Sequence, residues 1–375
     1  MRPLVTVIVV NYNSSKIKEV VSKSIKSILS LKYRPLEVII VDNGSIDGSY
    51  EYIKQLIENV KQDKGLTVKI VRLSRNYGFA VANIVAYRLR DPRSRYVVLV
   101  NNDLAPEPDS LQKLIKILEK HHRVAGLQGI ILTWDGRYID TYGALVSDHG
   151  ISYAVASFME SAYIQELKPV IPTYVDGAFS VYRVEALEKS GGLFMPYFFM
   201  WGDDYELGIR LWRSGYVLAA VPIVVGRHYR GASTQLGGHS IIFETPRLPY
   251  ILEYWSWVSN IAVAVVLYGY PYPLQLLKRV PTTLIAALLK RSKAILRGFL
   301  DGIRLGFKLR MLLLRQKPWL RFVREPRLRT RLIRELTLLT RLYIRYGKRA
   351  SRMYYILVTR SIGKKFTLRN NIMLC

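Results

Sequence analysis

Four short apolar runs in the first hundred residues constrain the fold of this chain more than any other feature. They are rich in β-branched residues, and they cover residues 5–10, 37–41, 68–73 and 96–100. Each run ends in a polar or glycine-bearing turn, and longer helix-like stretches separate them. Nearly continuous apolar strands that alternate with helices are typical of a parallel sheet covered on both faces. The pattern therefore predicts an α/β fold.

A polar cluster follows each of these runs, at residues 11–13, 42–45, 74–78 and 101–103. In an open parallel sheet the ligand binds beyond the carboxyl ends of the strands, so the four clusters predict a single site. Asp42 can accept a hydrogen bond from a pyrimidine ring nitrogen, and Asn11, Asn13 and Arg75 can donate to ribose or phosphate oxygens. Taken singly, each cluster also fits an ordinary turn or helix cap.

Length and charge divide the chain into two parts. Its 375 residues suffice for one large domain with an appendage, or for two domains. The net charge of +28 is uneven, because residues 278–375 hold 26 Lys and Arg against three acids. The single cysteine, Cys375, excludes an intrachain disulfide and is compatible with a reducing compartment. The first apolar run is too short for a secretory signal, and we interpret it as a buried strand.

Two acidic signatures indicate the chemistry. Asp103 ends the sequence Asn-Asn-Asp after an apolar run, where a carboxylate would meet a divalent cation, and Asp203 and Asp204 follow an aromatic run. A hard cation neutralises charge on departing phosphates, and a carboxylate can take a proton from an attacking hydroxyl. The pair at 203–204 would equally suit the first turn of a helix. Together the signatures suggest group transfer from a phosphorylated donor.

Seven segments carry a family resemblance, in the family's order and spacing: residues 9–13, 40–49, 76–80, 99–103, 175–178, 198–210 and 228–233. In these segments the chain resembles family 2 glycosyltransferases, close to their rhamnosyltransferase-like branch. The resemblance implies a GT-A fold, with a Rossmann-like, mostly parallel sheet and helices on both faces. It also implies a catalytic domain over residues 1–245, whose nucleotide-sugar half spans about 1–103 and whose acceptor half spans about 104–245.

The resemblance further implies a nucleoside-diphosphate sugar donor, inversion at the anomeric carbon and a role for each motif residue. Asp103 would hold Mg²⁺ or Mn²⁺, with Asn101 in place of the family's first acid. His228 would complete the metal site, although a histidine in an ordinary surface loop is the alternative. Asp204 would be the general base, paired with Asp203. Donor contacts are expected from Asn11, Asn13, Asp42, Asn43, Arg75, Asn76, Asn101 and Asn102, and sugar or acceptor contacts from Asp176, Gly177 and Trp201.

Residues 246–375 are predicted to form a cationic, amphipathic, mainly helical region. Residues 254–277 carry no formal charge, but polar residues and two prolines interrupt them, which favours a segment on the membrane over a single span or a soluble core element. Residues 284–315, if helical, separate an apolar stripe from a basic one. We therefore expect an anionic membrane surface as partner, a cytoplasmic peripheral location, and a glycan or lipid-linked acceptor. A helical subdomain with a solvated basic face is the alternative.

Two other functions compete with this interpretation. So basic a tail would attract nucleic acid, but no recognisable reader module is present, and the aromatic residues of the tail cluster with aliphatic ones. The sequence thus argues against nucleic acid as a partner. A sugar nucleotidylyltransferase would share the general sheet, but its glycine-rich phosphate loop is missing after the first strand, where Asn11, Tyr12 and Asn13 stand instead.

Overall fold

The computed structural model describes residues 2–58, 63–147, 152–157, 159–230, 249–267, 280, 283–284, 286–288, 290–316 and 327–328. The strands in these residues are β1 Val5–Asn11, β2 Leu36–Asp42, β3 Leu66–Arg72, β4 Tyr96–Asn101, β5 Leu104–Pro106, β6 Val124–Thr133, β7 Ile139–Thr141, β8 Ala144–Ser147, β9 Ser152–Ala154, β10 Phe179–Arg183, β11 Val217–His228 and β12 Arg327–Leu328. The helices are α1 Lys18–Leu29, α2 Ser49–Glu58, α3 Phe79–Leu89, α4 Ser110–Lys120, α5 Val184–Lys189, α6 Asp203–Arg213, α7 Tyr250–Leu267 and α8 Lys293–Gln316.

The four predicted runs form one half of the main sheet. Strands β3, β2, β1 and β4 lie side by side in this order and are all parallel. Alternate residues of β1 pack on opposite faces: Ile8 joins a core built with α3 and α6, while Val7 and Val9 join a core built with α1 and α4. Both faces of β1, β2 and β4 are therefore covered, which explains their continuous apolar sequences, whereas the edge strand β3 is partly exposed.

The other half of the sheet is mixed, which refines the expectation of a mostly parallel sheet. The order continues from β4 through β10, β6 and β11 to β5, and β10 is antiparallel to both of its neighbours. Phe179, the first residue of β10, pairs with Val100 near the end of β4. Because β10 begins where β4 ends, it can only run back along β4.

Helices α7 and α8 pack closely side by side and run in the same direction, because Gly298 of α8 meets Trp257 of α7 and Gly306 meets Val265. Gly298, Gly302 and Gly306 recur every fourth residue on the side of α8 that faces α7. A Cβ atom on Gly302 would lie 2.8 Å from the Ile261 Cβ, and one on Gly306 would lie 2.3 Å from the Val265 Cβ. Glycine is needed at these positions because the two backbones approach so closely.

This helix pair also bears on the predictions for the C-terminal region. The aliphatic stretch at residues 261–266, within the segment predicted to lie on the membrane, is buried inside the protein. Residues 268–277 of that segment are outside the described residues. None of the described helices has both the length and the apolar character that crossing a bilayer requires. The helix predicted within residues 284–315 is present as α8, and its apolar and basic stripes are considered below.

Candidate active site

The first part of the site is a contact between Asp103 and His228. Asp103 lies between β4 and β5, and Leu104 of β5 pairs with His228 at the end of β11. The pairing brings the His228 Nε2 atom to 3.1 Å from the Asp103 Oδ1 atom, and both side chains are buried. The Asn101 amide nitrogen lies 3.3 Å from the same Nε2 atom. The strands thus bring together three predicted site residues that are up to 127 positions apart.

Asp140 supports this contact, and the sequence predictions missed it. Its Oδ2 atom lies 2.8 Å from the His228 Nδ1 atom, and its Oδ1 atom lies 2.6 Å from the Arg230 Nε atom. Burial by itself lowers the pKa of His228, but the carboxylates of Asp103 and Asp140 raise that pKa to about 10. Asp140 is a lone acid in a three-residue strand, without a motif around it, so only the fold could reveal its place.

The donor set formed by Asp103 and His228 fits a divalent metal ion. Neighbouring ligands of an octahedral ion lie about 3 Å apart, which matches the distance between these two atoms. Asp140 accepts from the other ring nitrogen, as is usual for a metal-binding histidine. In the described part of the chain, no group of three or more His, Cys, Asp or Glu side chains could hold a metal together. An ion here would therefore depend on water and substrate phosphates for its remaining ligands.

The second part of the site is the carboxylate pair at the start of α6. Asp204 accepts a hydrogen bond from the Gly177 backbone N–H through Oδ2, at 2.9 Å. Its Oδ1 atom and the Oδ2 atom of Asp203 are shielded from solvent and have no hydrogen-bond partner among the described residues. Burial, followed by the charges of Asp203 and Asp176, raises the pKa of Asp204 well above its usual range. Burial likewise raises the pKa of Asp203 to about 6.

A tight turn before β10 positions Asp204. Asp176 accepts from the Ala178 N–H at 2.9 Å, and the Asp176 N–H donates to the buried Gln128 side chain at 2.8 Å. A Cβ atom on Gly177 would lie only 2.7 Å from the Asp204 Oδ1 atom. Since real Cβ contacts are not that short, a side chain at 177 would displace the carboxylate. Gln128 is a second residue that the sequence predictions missed.

The pairing of β4 with β10 makes the two parts neighbours. The Asn101 N–H donates to the Ala178 carbonyl at 3.0 Å, and Asn101 is two residues from Asp103. Ala178 follows Gly177, which holds Asp204. The predicted metal residue and the predicted base are therefore linked through two adjacent strand ends.

Several predicted donor-binding residues form a buried network. The Asn11 amide donates to Asp42 at 3.0 Å, and its oxygen accepts from Asn102 at 2.8 Å and from Ser14 at 2.6 Å. Asn11 has no exposed surface, and only 1% of Asp42 is exposed. These hydrogen bonds tie together the ends of β1, β2 and β4. They give Asn11 an internal role, whereas its predicted contact with the donor stays a prediction.

The remaining predicted donor residues lie around this network. The Asn43 amide donates to the Asn76 oxygen at 2.9 Å, which joins the loops after β2 and β3. The Asn13 side chain accepts from the Ile46 N–H at 3.0 Å. Arg75 is exposed, and its guanidinium lies 4.9 Å from the centre of the Tyr77 ring. Among the residues predicted to contact the sugar donor, Arg75 thus presents a cationic group to solvent.

Trp201 belongs to a loop that leads into α6. Its side chain is 39% exposed, and its backbone φ of 61° lies in the left-handed region that L-residues rarely adopt. Gly202 follows, and a Cβ atom there would lie 2.8 Å from the Ser259 Cβ of α7. Strained backbone of this kind persists only where the surroundings hold it. Here α7 supplies that support, directly before Asp203.

Comparison with protein families decides the identity. Residues 6–191 match the family model described as glycosyl transferase family 2. The chain belongs to this family. The matched residues include the Asp103, Asp140 and Gly177 positions of the site, while Asp204 and His228 lie beyond them. The match agrees with the sequence prediction of a glycosyltransferase.

Curated relatives carry similar names at low identity. The N-acetylglucosaminyl-diphospho-decaprenol L-rhamnosyltransferase of Mycobacterium tuberculosis is 26% identical over 221 residues, which make up 54% of this chain and 69% of that protein. The putative teichuronic acid biosynthesis glycosyltransferase TuaG of Bacillus subtilis is 28% identical over 142 residues, or 38% of this chain and 52% of that protein. An uncharacterized glycosyltransferase of Haemophilus influenzae matches over only 36% of its length.

Solved structures show the same fold. S. aureus TarS 1–349 in complex with UDP-GlcNAc gives a TM-score of 0.51 at 14% identity, over 93% of this chain and 91% of that chain. GalNAc-T7 with UDP, GalNAc and Mn²⁺ gives a TM-score of 0.51 at 13% identity, over 72% of this chain and 49% of that chain. The predicted α/β GT-A fold is thereby confirmed.

Proposed function

We propose that this glycosyltransferase moves a sugar from a nucleoside-diphosphate sugar to a hydroxyl of a glycan or lipid-linked acceptor, with inversion at the anomeric carbon. The observation that carries the proposal is the link through Asn101 and Ala178 between Asp103 and Asp204. This link supports a single displacement, in which the residue that assists the leaving group (Asp103) and the residue that activates the acceptor (Asp204) are held at adjacent strand ends. The rhamnosyltransferase and the teichuronic acid enzyme among the relatives support a glycan or lipid-linked acceptor.

Asp103 and His228 would hold Mg²⁺ or Mn²⁺, and Asp140 would keep the His228 ring in the orientation that binding requires. The ion, when bound, supplies positive charge against the negative charge that develops on the departing diphosphate. Arg75 is placed to add a second positive charge from the loop after β3. Asn11, Asp42 and Asn102 would act less directly, because their mutual hydrogen bonds hold the strand ends that form the donor site.

Asp204 would accept the proton of the acceptor hydroxyl as that oxygen attacks. Its Oδ1 atom has no hydrogen-bond partner among the described residues, and Oδ2 is held by the Gly177 N–H. Burial raises the pKa of Asp204, which makes the ionised carboxylate a stronger base than an exposed aspartate. Burial, Asp203 and Asp176 together thus raise the proton affinity of the Asp204 carboxylate.

Two substitutions separate the two halves of the proposal. Asp103→Ala should abolish the stabilisation by nucleoside-diphosphate sugars that depends on Mn²⁺, measured as a thermal shift across a panel of nucleotides and their sugars. Asp204→Asn should keep that shift and lower kcat by at least about 100-fold, which is typical for loss of acid–base catalysis. Proton NMR of the product should show inversion. A retained configuration would remove Asp204 from its role, and an unchanged shift in Asp103→Ala would remove Asp103 from metal binding.

A further inference from the structure

The solvent-facing side of α8 carries an apolar stripe. Its four members are spaced four, seven and four residues apart, so they follow one line along the helix, opposite the glycines that face α7. The stripe consists of four large side chains, with the exposed fraction of each in parentheses: Leu296 (40%), Leu300 (56%), Phe307 (47%) and Met311 (52%). Leu284 and Leu288, which precede α8, are also exposed. A helix that only packed on the catalytic domain would expose polar residues here.

A cationic stripe runs beside the apolar one. It repeats the same spacing of four, seven and four, three residues earlier in the sequence, and its members are exposed: Lys293, Arg297, Arg304 and Lys308. The one acid of α8, Asp301, is partly buried, and it accepts from the Tyr254 hydroxyl at 3.0 Å and from Arg304 at 3.0 Å. The exposed side of α8 is therefore half apolar and half cationic along its length.

We infer that this side of α8 is a contact surface for an anionic lipid bilayer. A helix that lies at a bilayer surface buries its apolar residues among the acyl chains, while neighbouring cations meet anionic headgroups. Nucleic acid would match the cations but not the apolar stripe, because bases stack on aromatic side chains and three of its four members, Leu296, Leu300 and Met311, are not aromatic. In a two-fold contact with a second copy, the cationic stripes would lie side by side if the two α8 helices were antiparallel, and on opposite edges if they were parallel. In both cases α8 has no acid for them to meet except Asp301, which already bonds Tyr254 and Arg304. An anionic bilayer satisfies both stripes at once.

Both α7 and α8 join this surface to the loop before α6. The Ser259 hydroxyl of α7 donates to the Met200 carbonyl at 2.9 Å, and the rings of Phe199 and Trp255 stack at 5.4 Å. On α8 itself, the Lys308 ammonium lies 4.8 Å from the centre of the Tyr197 ring. A bilayer bound to α8 would therefore hold the loop of Trp201 near the lipid surface. Resting on the proposed function, this placement favours a lipid-linked acceptor over a free saccharide.

Vesicle flotation of the full chain tests the contact surface. The wild-type chain should float with vesicles of equimolar phosphatidylcholine and phosphatidylglycerol, and much less with phosphatidylcholine alone. Leu296→Glu/Leu300→Glu should lower the partition coefficient at least about tenfold, because two apolar side chains no longer enter the bilayer. Lys293→Gln/Arg304→Gln should lower it about fivefold for each cation removed, and only at low salt. Leu89→Glu, at an exposed leucine of α3, is the matched control and should float like the wild type.

The outcomes separate this inference from the proposed function. A thermal shift with nucleoside-diphosphate sugars and Mn²⁺, measured without vesicles, checks that each variant is folded and binds donor. Loss of flotation with an unchanged shift supports the inference. If the wild type does not float with anionic vesicles, or if Leu296→Glu/Leu300→Glu floats as well as Leu89→Glu, the inference is wrong. If the variant instead converts a dimer to a monomer without changing flotation, a second copy covers the stripe. If the wild type floats with anionic vesicles but shows no thermal shift with nucleoside-diphosphate sugars and Mn²⁺, only the proposed function is contradicted.

Discussion

Replacing Gly177 by alanine should misplace the proposed base without touching the donor site. The added Cβ atom would lie 2.7 Å from the Asp204 Oδ1 atom, whereas ordinary contacts begin at 3.4 Å, so the carboxylate must move by about 0.7 Å. That shift would stretch the 2.9 Å hydrogen bond from the Gly177 N–H to Oδ2. A misplacement of about 1 Å can lower a rate about 100-fold. We therefore expect kcat to fall about 20- to 100-fold.

The assay is a double-mutant cycle on kcat, with Gly177→Ala, Asp204→Asn and the double variant. If Gly177 acts through Asp204 alone, Gly177→Ala should slow the wild type but have almost no further effect in Asp204→Asn. Donor affinity, measured by thermal shift, should stay within about threefold of wild type in all variants, because the donor residues lie on other strand ends.

Two results would refute this reasoning. Additive losses in the double variant would mean that Gly177 contributes independently of Asp204, for example by direct contact with a sugar. A Gly177→Ala enzyme with the wild-type kcat would mean that the carboxylate position next to the turn has no part in the rate.

Three further predictions follow from buried groups and close contacts. Asp140→Asn should weaken Mn²⁺ binding about 10- to 100-fold, as loss of a histidine's supporting carboxylate commonly does, and an unchanged affinity in calorimetry would contradict that role. Asp203→Asn should raise the free energy of unfolding at pH 7 by roughly 1–3 kcal/mol, because burial raises the pKa of Asp203 to about 6 and the ionised form is unfavourable in the folded state. The gain should vanish below about pH 3, where the carboxyl is protonated in the unfolded state too, and denaturation at both pH values checks it. Gly306→Ala should lower stability by about 1–3 kcal/mol through overpacking against Val265, despite alanine's better helix propensity; a higher Tm would contradict the close packing.

The sequence predicted the first half of the fold well because its signals there are local. The four apolar runs became β1 to β4, within two residues at each end, and the helix after Gly202 begins at Asp203 as expected. Continuous β-branched runs report burial on both faces, and burial on both faces implies covering helices. No local pattern in the sequence indicated that β10 would lie antiparallel to β4 and β6, since the direction of a strand in a sheet depends on where distant segments meet.

The candidate site was predictable only in part. Motifs led to Asp103, Asp204 and His228, because their neighbours in the sequence are distinctive. Asp140 and Gln128 were missed, because neither residue has a recognisable motif around it in the sequence. Their importance arises from contacts with His228 and with the Asp176 N–H, across distances of 88 and 48 residues.

The sequence by itself determined the α/β class, the reaction class and the unequal distribution of charge, because apolar periodicity, motif order and composition are all properties of the linear chain. Only the tertiary structure decided which side chains share a contact. Pairing of β5 with β11 brought His228 to Asp103, and pairing of β10 with β4 brought the turn that holds Asp204 next to Asn101. The glycines of α8 bury the apolar part of α7 and leave the two stripes of α8 facing outward. Such juxtapositions depend on long-range packing, which no local pattern encodes.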